Sequence, residues 1–305
     1  MHVRDGLLRI VGVASSLMIA GCASAPATGS AWLPPPPAAA AVVRPALMHL
    51  TPPSGGAWHP LPTLSQGVAG AYEAHPSPSE WELWMDPTLL GFRFVPGTRW
   101  PERSPVRAVD RRPSTWVPRL VAAFNGGFKL SDHAGGYFYA GRVVAPLRPG
   151  LASLVVGLDG SLRVAVWGRD LSSTTGLLAV RQNLPPLVDH GLPMTRSTDG
   201  VTTWGLPYHH IVRTNRSALG ERADGSLVYV YLHDAVASEL ATALVDAGAV
   251  TGIALDMNTG WPAALTFRHV GATVASTRLS PVMTQYLNAY YSRPQKDFVA
   301  VEAKP

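Results

Sequence analysis

Three stretches of this chain join a strand-like apolar run to side chains that can do chemistry. In the first, Val121–Phe124 runs into Asn125-Gly126-Gly127, followed by Lys129, Ser131, Asp132 and His133, with Gly135-Gly136 behind them. Paired glycines permit backbone angles closed to other residues and let a ligand or another backbone come close. A polar turn after a buried strand is a common way to present a site. The second stretch, His209 to Ser217, carries His209, His210, Arg213 and Arg216. The third follows an apolar run from Val250 with Asp256, Met257, Asn258, Thr259, Gly260 and Trp261. Carboxyl and imidazole groups move protons near neutral pH. A guanidinium grips phosphate through a forked pair of hydrogen bonds.

Each group also has an ordinary structural use. His209-His210 fits a surface pair, since no acid or histidine lies at ligand spacing from it. Arg213 or Arg216 fits an ion pair, Asp256 a turn cap, and Trp261 packing. Asp159 and Asp224 sit in Asp-Gly pairs between strand-like runs and read as hairpin-turn residues.

The elements that must position these groups are mostly strands. Glu80–Met85 and Gly91–Val95 alternate in the strand period. Gly136–Tyr139 and Arg142–Ala145 make a hairpin across Ala140-Gly141. Two more hairpins, Leu154–Leu158 with Leu162–Trp167 and Ala218–Arg222 with Ser226–Leu232, turn on the Asp-Gly pairs. Val236–Ala247 has one apolar helical face, with Asp234 placed as its cap and Gly248 to end it. A strand over Val250–Leu255 delivers Asp256, a second helix is predicted over Pro281–Tyr291, and Asp297–Val301 reads as a last strand. The expected fold is α+β: one β-rich domain of mixed sheets with a few flanking helices.

Composition narrows the function. Of 305 residues, 47% are apolar and 15% charged, which is ample for a core. The net charge of +5 comes from scattered arginines with no basic run, so no nucleic-acid partner is expected. Zinc-type spacing, a Walker loop, a GxGxxG after a strand and HExxH are all missing, so no metal site and no cofactor are expected, a divalent cation being left open. Residues 1–21 read as a leader: Arg4 and Arg9 precede a short apolar core, and Ile19-Ala20-Gly21 precedes Cys22, the only cysteine. That order resembles a bacterial lipobox, which would acylate Cys22 and tether an exported protein to the cell envelope membrane. One cysteine also makes no internal disulfide. Residues 22–66, rich in Ala and Pro with Pro34–Pro37 consecutive, read as a disordered tether, and residues 67–303 as the folded domain.

Taken in order, AAFNGGF at Ala122–Phe128, Arg216-Ser217-Ala218-Leu219-Gly220 before an Asp-Gly hairpin, an Ala/Leu-rich helix ending at a glycine, and a strand ending in Leu255-Asp256 resemble the phosphodiester glycosidase family. Leu187-Val188-Asp189-His190-Gly191 matches a further short element of that family. The resemblance spans roughly Gly67–Val301, nearly the whole expected domain. It departs in one place. The family continues Leu-Asp with Gly-Gly-Gly-Ser, whereas this chain has Met257-Asn258-Thr259-Gly260-Trp261, the Asp-x-Asn-x-x-Trp of a divergent bacterial branch. Side chains therefore stand where the family presents bare backbone.

The resemblance implies hydrolysis of a bond between an anomeric carbon and a phosphate diester, within an envelope or extracellular glycan. Ordinary glycosidases use two carboxyls, one of them to protonate a poor leaving group. A phosphate monoester leaves far more readily, so one carboxyl and a cation suffice. On this footing Arg216, with Arg213, would hold the phosphate. Asp256 would be nucleophile, general base or stabiliser of the sugar cation. Asn125, Gly126 and Gly127 would meet sugar hydroxyls or phosphate oxygens, and Trp261 would stack on a sugar. Asp132 or His133 would help with protons, and Lys129, His210 and Asn258 would complete the binding surface. Two other readings stay open: a glycan-binding envelope lipoprotein without turnover, favoured by the broken glycine run, and a metal-dependent phosphoesterase in which Asp256, Asp132 and His210 converge.

Overall fold

The alternating and fully apolar runs become strands, and nearly everything else becomes turn. The structure, a computed structural model, describes residues 49–99, 101, 117–200, 202–208, 212–271, 273–291 and 294–305. The leader, Cys22, most of the expected tether and the His209-His210 pair lie outside the described residues.

Three main sheets are formed, and every strand-to-strand ladder in them is antiparallel. The largest has eight strands, with Glu80–Met85, Leu227–Ala235, Thr214–Arg222 and Ala249–Met257 adjacent at its centre. A five-stranded sheet holds Leu162–Val166, Ala152–Gly157, Leu177–Gln182, Tyr137–Tyr139 and Arg142–Ala145 in that order. The other five-stranded sheet runs Thr273–Arg278, Ala264–Val270, Leu120–Asn125, Phe298–Ala303 and Leu90–Val95. One core joins all three. Leu219, Tyr229, Ile253 and Leu255 from the first pack with Leu154, Val156 and Tyr137 from the second and with Phe94, Phe124, Val299 and Val301 from the third.

The expectation of an α+β fold with mixed sheets and flanking helices is overturned: the protein is a β-rich, antiparallel fold with one α-helix among the described residues, Ala237–Asp246. Connectivity explains the count. Antiparallel neighbours need only a tight turn, while two strands running the same way need a longer crossover. Leu227–Ala235 and Ala249–Met257 are both antiparallel to Thr214–Arg222, which lies between them, so they run the same way and require one. The helix supplies it, burying Leu240, Ala241, Ala243 and Leu244 against Ala218, Val228, Val230 and Ala254. Its start is capped otherwise than expected. The Glu239 carboxylate reaches back to accept the Val236 N–H at 3.0 Å, while Asp234 sits in a left-handed turn with φ 52°. Gly248, with φ 85°, ends the helix by donating to Val245 O at 2.8 Å.

The helix expected over Pro281–Tyr291 does not form. Its backbone makes isolated three-residue turn bonds, such as Met283 N–H to Ser280 O and Ala289 N–H to Tyr286 O. Val282, Tyr286 and Leu287 are exposed while Met283 and Tyr290 are buried, so no continuous apolar stripe faces the core, and packing is what stabilises a short helix. At the other end, strand pairing starts ahead of the expected boundary at Gly67: His59–Pro60 pairs with Ala71–Ser77 in the largest sheet. Among the described residues no helix is long and apolar enough to cross a membrane.

Candidate active site

Asp256 lies near the end of the central strand Ala249–Met257, with 3% of its surface exposed. Burial pushes its carboxyl up to about 7, and the negative charge of Asp297 adds to that. Lys296 opposes the rise through a direct contact with Asp256 Oδ2, and Arg181 through its charge. Below this pair is a second, wholly buried one: Arg181 Nε donates to Asp297 Oδ2 at 3.0 Å. The remaining Arg181 nitrogens donate to the carbonyls of Gln182 and Phe128.

A cavity of about 600 Å³ is lined by Asp256, Lys296, Lys129, Asp132, Asn258, Trp261 and Tyr208 among others. Two ammonium groups approach the Trp261 ring, Lys296 Nζ 4.8 Å and Lys129 Nζ 5.1 Å from its centroid. Its indole N–H donates to the Tyr208 hydroxyl at 2.8 Å. Asp132 folds the turn beneath Lys129 by accepting the Lys129 N–H at 3.2 Å. Asn258 adopts φ 75°, a left-handed angle that Asn tolerates, and anchors the adjoining loop: Oδ1 accepts the Tyr208 N–H and Nδ2 donates to Leu206 O. Among the described residues no group of three His, Cys, Asp or Glu side chains is placed to hold a metal ion.

Asn125 closes the all-buried strand Leu120–Asn125 and joins two sheets. Its Oδ1 accepts the Tyr229 hydroxyl and the Ala263 N–H, both at 2.9 Å. Its Nδ2 donates to Ser217 Oγ at 3.1 Å, and Ser217 donates in turn to the Asp256 carbonyl at 3.0 Å. The asparagine is thus two hydrogen bonds from the backbone of Asp256, with its amide already engaged. Gly126 and Gly127 serve close packing. A Cβ on Gly126 would lie 2.7 Å from Asp297 Oδ2, and one on Gly127 3.2 Å from Asn183 Cγ. The Gly126 N–H is taken by Asp297 O at 2.9 Å.

The two arginines sit elsewhere. Arg213 is exposed and pairs with Glu239 at 3.0 Å and with Asp234, beside the helix start. Arg216 is buried, and among the described residues its guanidinium donates to the carbonyls of Ala235, Trp204 and Val212 and to Met257 Sδ, with no acidic side chain beside it. That burial lowers it to about 10, so it stays charged at neutral pH. His133 takes the left-handed position ending the short turn, exposed and outside the cavity lining. Of the predicted residues, then, Asp256, Lys129, Asp132, Asn258 and Trp261 share one cavity; Asn125 and the glycines form the packing around it; Arg213, Arg216 and His133 do not line it.

Sequence reasoning passed over Lys296, Asp297, Arg181, Asn183 and Tyr208. Asn183 donates to Ala254 O and Leu255 O and accepts the Phe128 N–H, tying the glycine loop to the Asp256 strand. A signal was there for one pair only: Lys296-Asp297 immediately before an apolar strand repeats the pattern that marked Asp256 after one.

No protein-family model and no curated protein matches the chain. Among solved structures it is similar to the catalytic domain of zebrafish N-acetylglucosamine-1-phosphodiester alpha-N-acetylglucosaminidase, auto-inhibited by its pro-peptide, with TM-score 0.44 and 15% identity over 81% of this chain and 82% of that one. It is also similar to a hypothetical protein from Synechocystis, with TM-score 0.40 and 12% identity over 78% of this chain and 63% of that one.

Proposed function

We propose that the protein is a hydrolase of the glycosidase type that cleaves a sugar-1-phosphodiester, with Asp256 as its catalytic carboxyl. One observation carries this reading: a buried carboxyl held near neutrality, touching one ammonium and lining a cavity with a second ammonium and a tryptophan. A carboxyl whose pKa lies near the working pH is the efficient general base. In the reaction, Asp256 takes a proton from water as the water oxygen adds to the anomeric carbon. The bond from that carbon to the phosphate oxygen breaks, and its electron pair leaves with the phosphate monoester. Such a leaving group needs little protonation, which accounts for a site with one central carboxyl instead of the usual two.

The phosphate grip expected of Arg216 and Arg213 passes in this reading to Lys129 and Lys296, because both arginines are engaged elsewhere. Lys296 has two tasks, holding negative charge at the phosphate and favouring the ionised form of Asp256. Trp261 offers its ring to a sugar, and Asn125 fixes the strand end through Ser217. The substrate is a glycan of the cell envelope or its surroundings, since residues 1–21 read as a lipoprotein leader ahead of Cys22. Incorporation of labelled fatty acid, lost in Cys22→Ser, tests that part.

The activity is tested by incubating the purified protein with a panel of sugar-1-phosphodiesters and measuring free reducing sugar. Asp256→Asn should abolish release while the variant unfolds cooperatively like the parent. Full activity in that variant refutes the assignment. Binding of envelope polysaccharide without released sugar would instead support a carbohydrate-binding lipoprotein.

A further inference from the structure

The cavity at Asp256 does not stand alone. Tyr208 and Asn258 line both it and a second cavity of about 700 Å³, whose walls include Thr214, Asn215 and His233. On the other side, Trp261 and Lys296 line both it and a third cavity of about 440 Å³, walled by Thr284, Gln285, Tyr286, Asn288 and Tyr290. Shared wall residues set the three side by side, with the Asp256 carboxyl in the middle one. The central cavity already has the volume of a complete small-molecule site, so a small phosphodiester would leave its neighbours without a use.

The chemistry of the flanking walls points the same way. Hydroxyls, amides and rings outnumber charges in both, the charges being the mutually paired Arg213 and Asp234 in one and Lys296 and Asp297 in the other, which suits sugar hydroxyls. Each also has an exposed aromatic at its edge: Tyr208 at 52% on one side and Tyr286 at 81% on the other. A flat ring with a polar tip gives a sugar an apolar face and a hydrogen bond together. A site built for chain ends is closed beyond the reacting sugar, whereas this one has a further cavity on each side.

We infer that the substrate is a polymeric glycan with phosphodiester links along its chain, lying across all three cavities and cleaved internally. The inference rests on the reading of Asp256 as the catalytic carboxyl, and its test separates the two. The inactive full-length Asp256→Asn protein is titrated with phosphodiester-linked oligosaccharides of increasing length. Affinity should rise with length well beyond the one unit on either side of a single phosphodiester. Tyr286→Ala should flatten that rise, costing about tenfold on the longest chain. Affinity independent of length overturns the inference whatever the catalytic result. With the active protein, early products from a long chain should be fragments of intermediate size; single sugars from the first moments overturn it. Length-dependent binding with no cleavage by the active protein would leave the groove standing and refute the proposed reaction.

Discussion

Replacing Asp256 by Asn should change how stability depends on pH, by an amount the structure sets. The native carboxyl titrates at about 7 against 3.8 for a free aspartate. Between those values the folded state holds a proton that the unfolded state has lost, so this group makes stability fall as pH rises through the interval. Three units at 1.36 kcal/mol each is roughly 4 kcal/mol, fully expressed above pH ~7 and absent below pH ~4. Asn resembles the protonated acid in shape and never ionises. Urea unfolding of both proteins, taken from acid to mildly alkaline pH, gives the difference directly; titrating groups remote from Asp256 cancel in it, and the pH range stops short of where lysine titrates. At low pH the two should be close. At pH ~8 the Asn variant should have gained several kcal/mol relative to the parent. Curves that stay parallel across the range would show that Asp256 ionises normally, and the general-base assignment would fall with them.

Four further outcomes follow from particular contacts. The pH–rate profile should rise through the Asp256 ionisation near 7, and Lys296→Met should move that limb to higher pH, because Lys296 favours the ionised form. Glu82→Gln should stabilise the protein at alkaline pH, since burial beside Glu80 and Asp246 raises Glu82 from 4.5 to about 8, so the parent loses stability as pH rises through that interval; chemical denaturation near pH ~4 and pH ~8 checks the sign. Asn125→Ala should cost on the order of 2–5 kcal/mol by leaving the Tyr229 hydroxyl and Ala263 N–H unpaired, read as a lowered unfolding midpoint. Gly126→Ala should cost on the order of 1–3 kcal/mol by driving a methyl group into Asp297, with activity falling too because that residue helps set the Asp256 ionisation.

How much was legible from residues alone differs between fold and site. Strands announced themselves because alternation and Asp-Gly turns are local: the hairpins at Asp159-Gly160 and Asp224-Gly225 form where expected. The helix Ala237–Asp246 was equally plain, being an apolar stripe closed by a glycine. The Pro281–Tyr291 segment misled because its composition suits a helix while its burial is decided by tertiary packing that no local pattern contains. Asp256, Asn258 and Trp261, which line one cavity, could be grouped beforehand because strand, acid and aromatic follow one another within a few residues. Lys296 was missed because its bond to Asp256 joins positions 40 residues apart. Arg216 misled for the opposite reason. An arginine before a hairpin looks like an anion clamp, and only the folded chain reveals the carbonyls gathered around it.

The placement of the Phe298–Ala303 strand bears on how the chain is made. It lies between Leu120–Asn125 and Leu90–Val95, which have no other way to meet in that sheet. Two strands made early must therefore wait, with an open gap between them, until the strand that fills it has been synthesised. Lys296 and Asp297, immediately ahead of it, reach the site only then. Non-local pairing of this kind is slow and cannot be completed on a partial chain. A chain stopped short of Phe298 would keep that gap open and would leave the Asp256 carboxyl without its lysine contact.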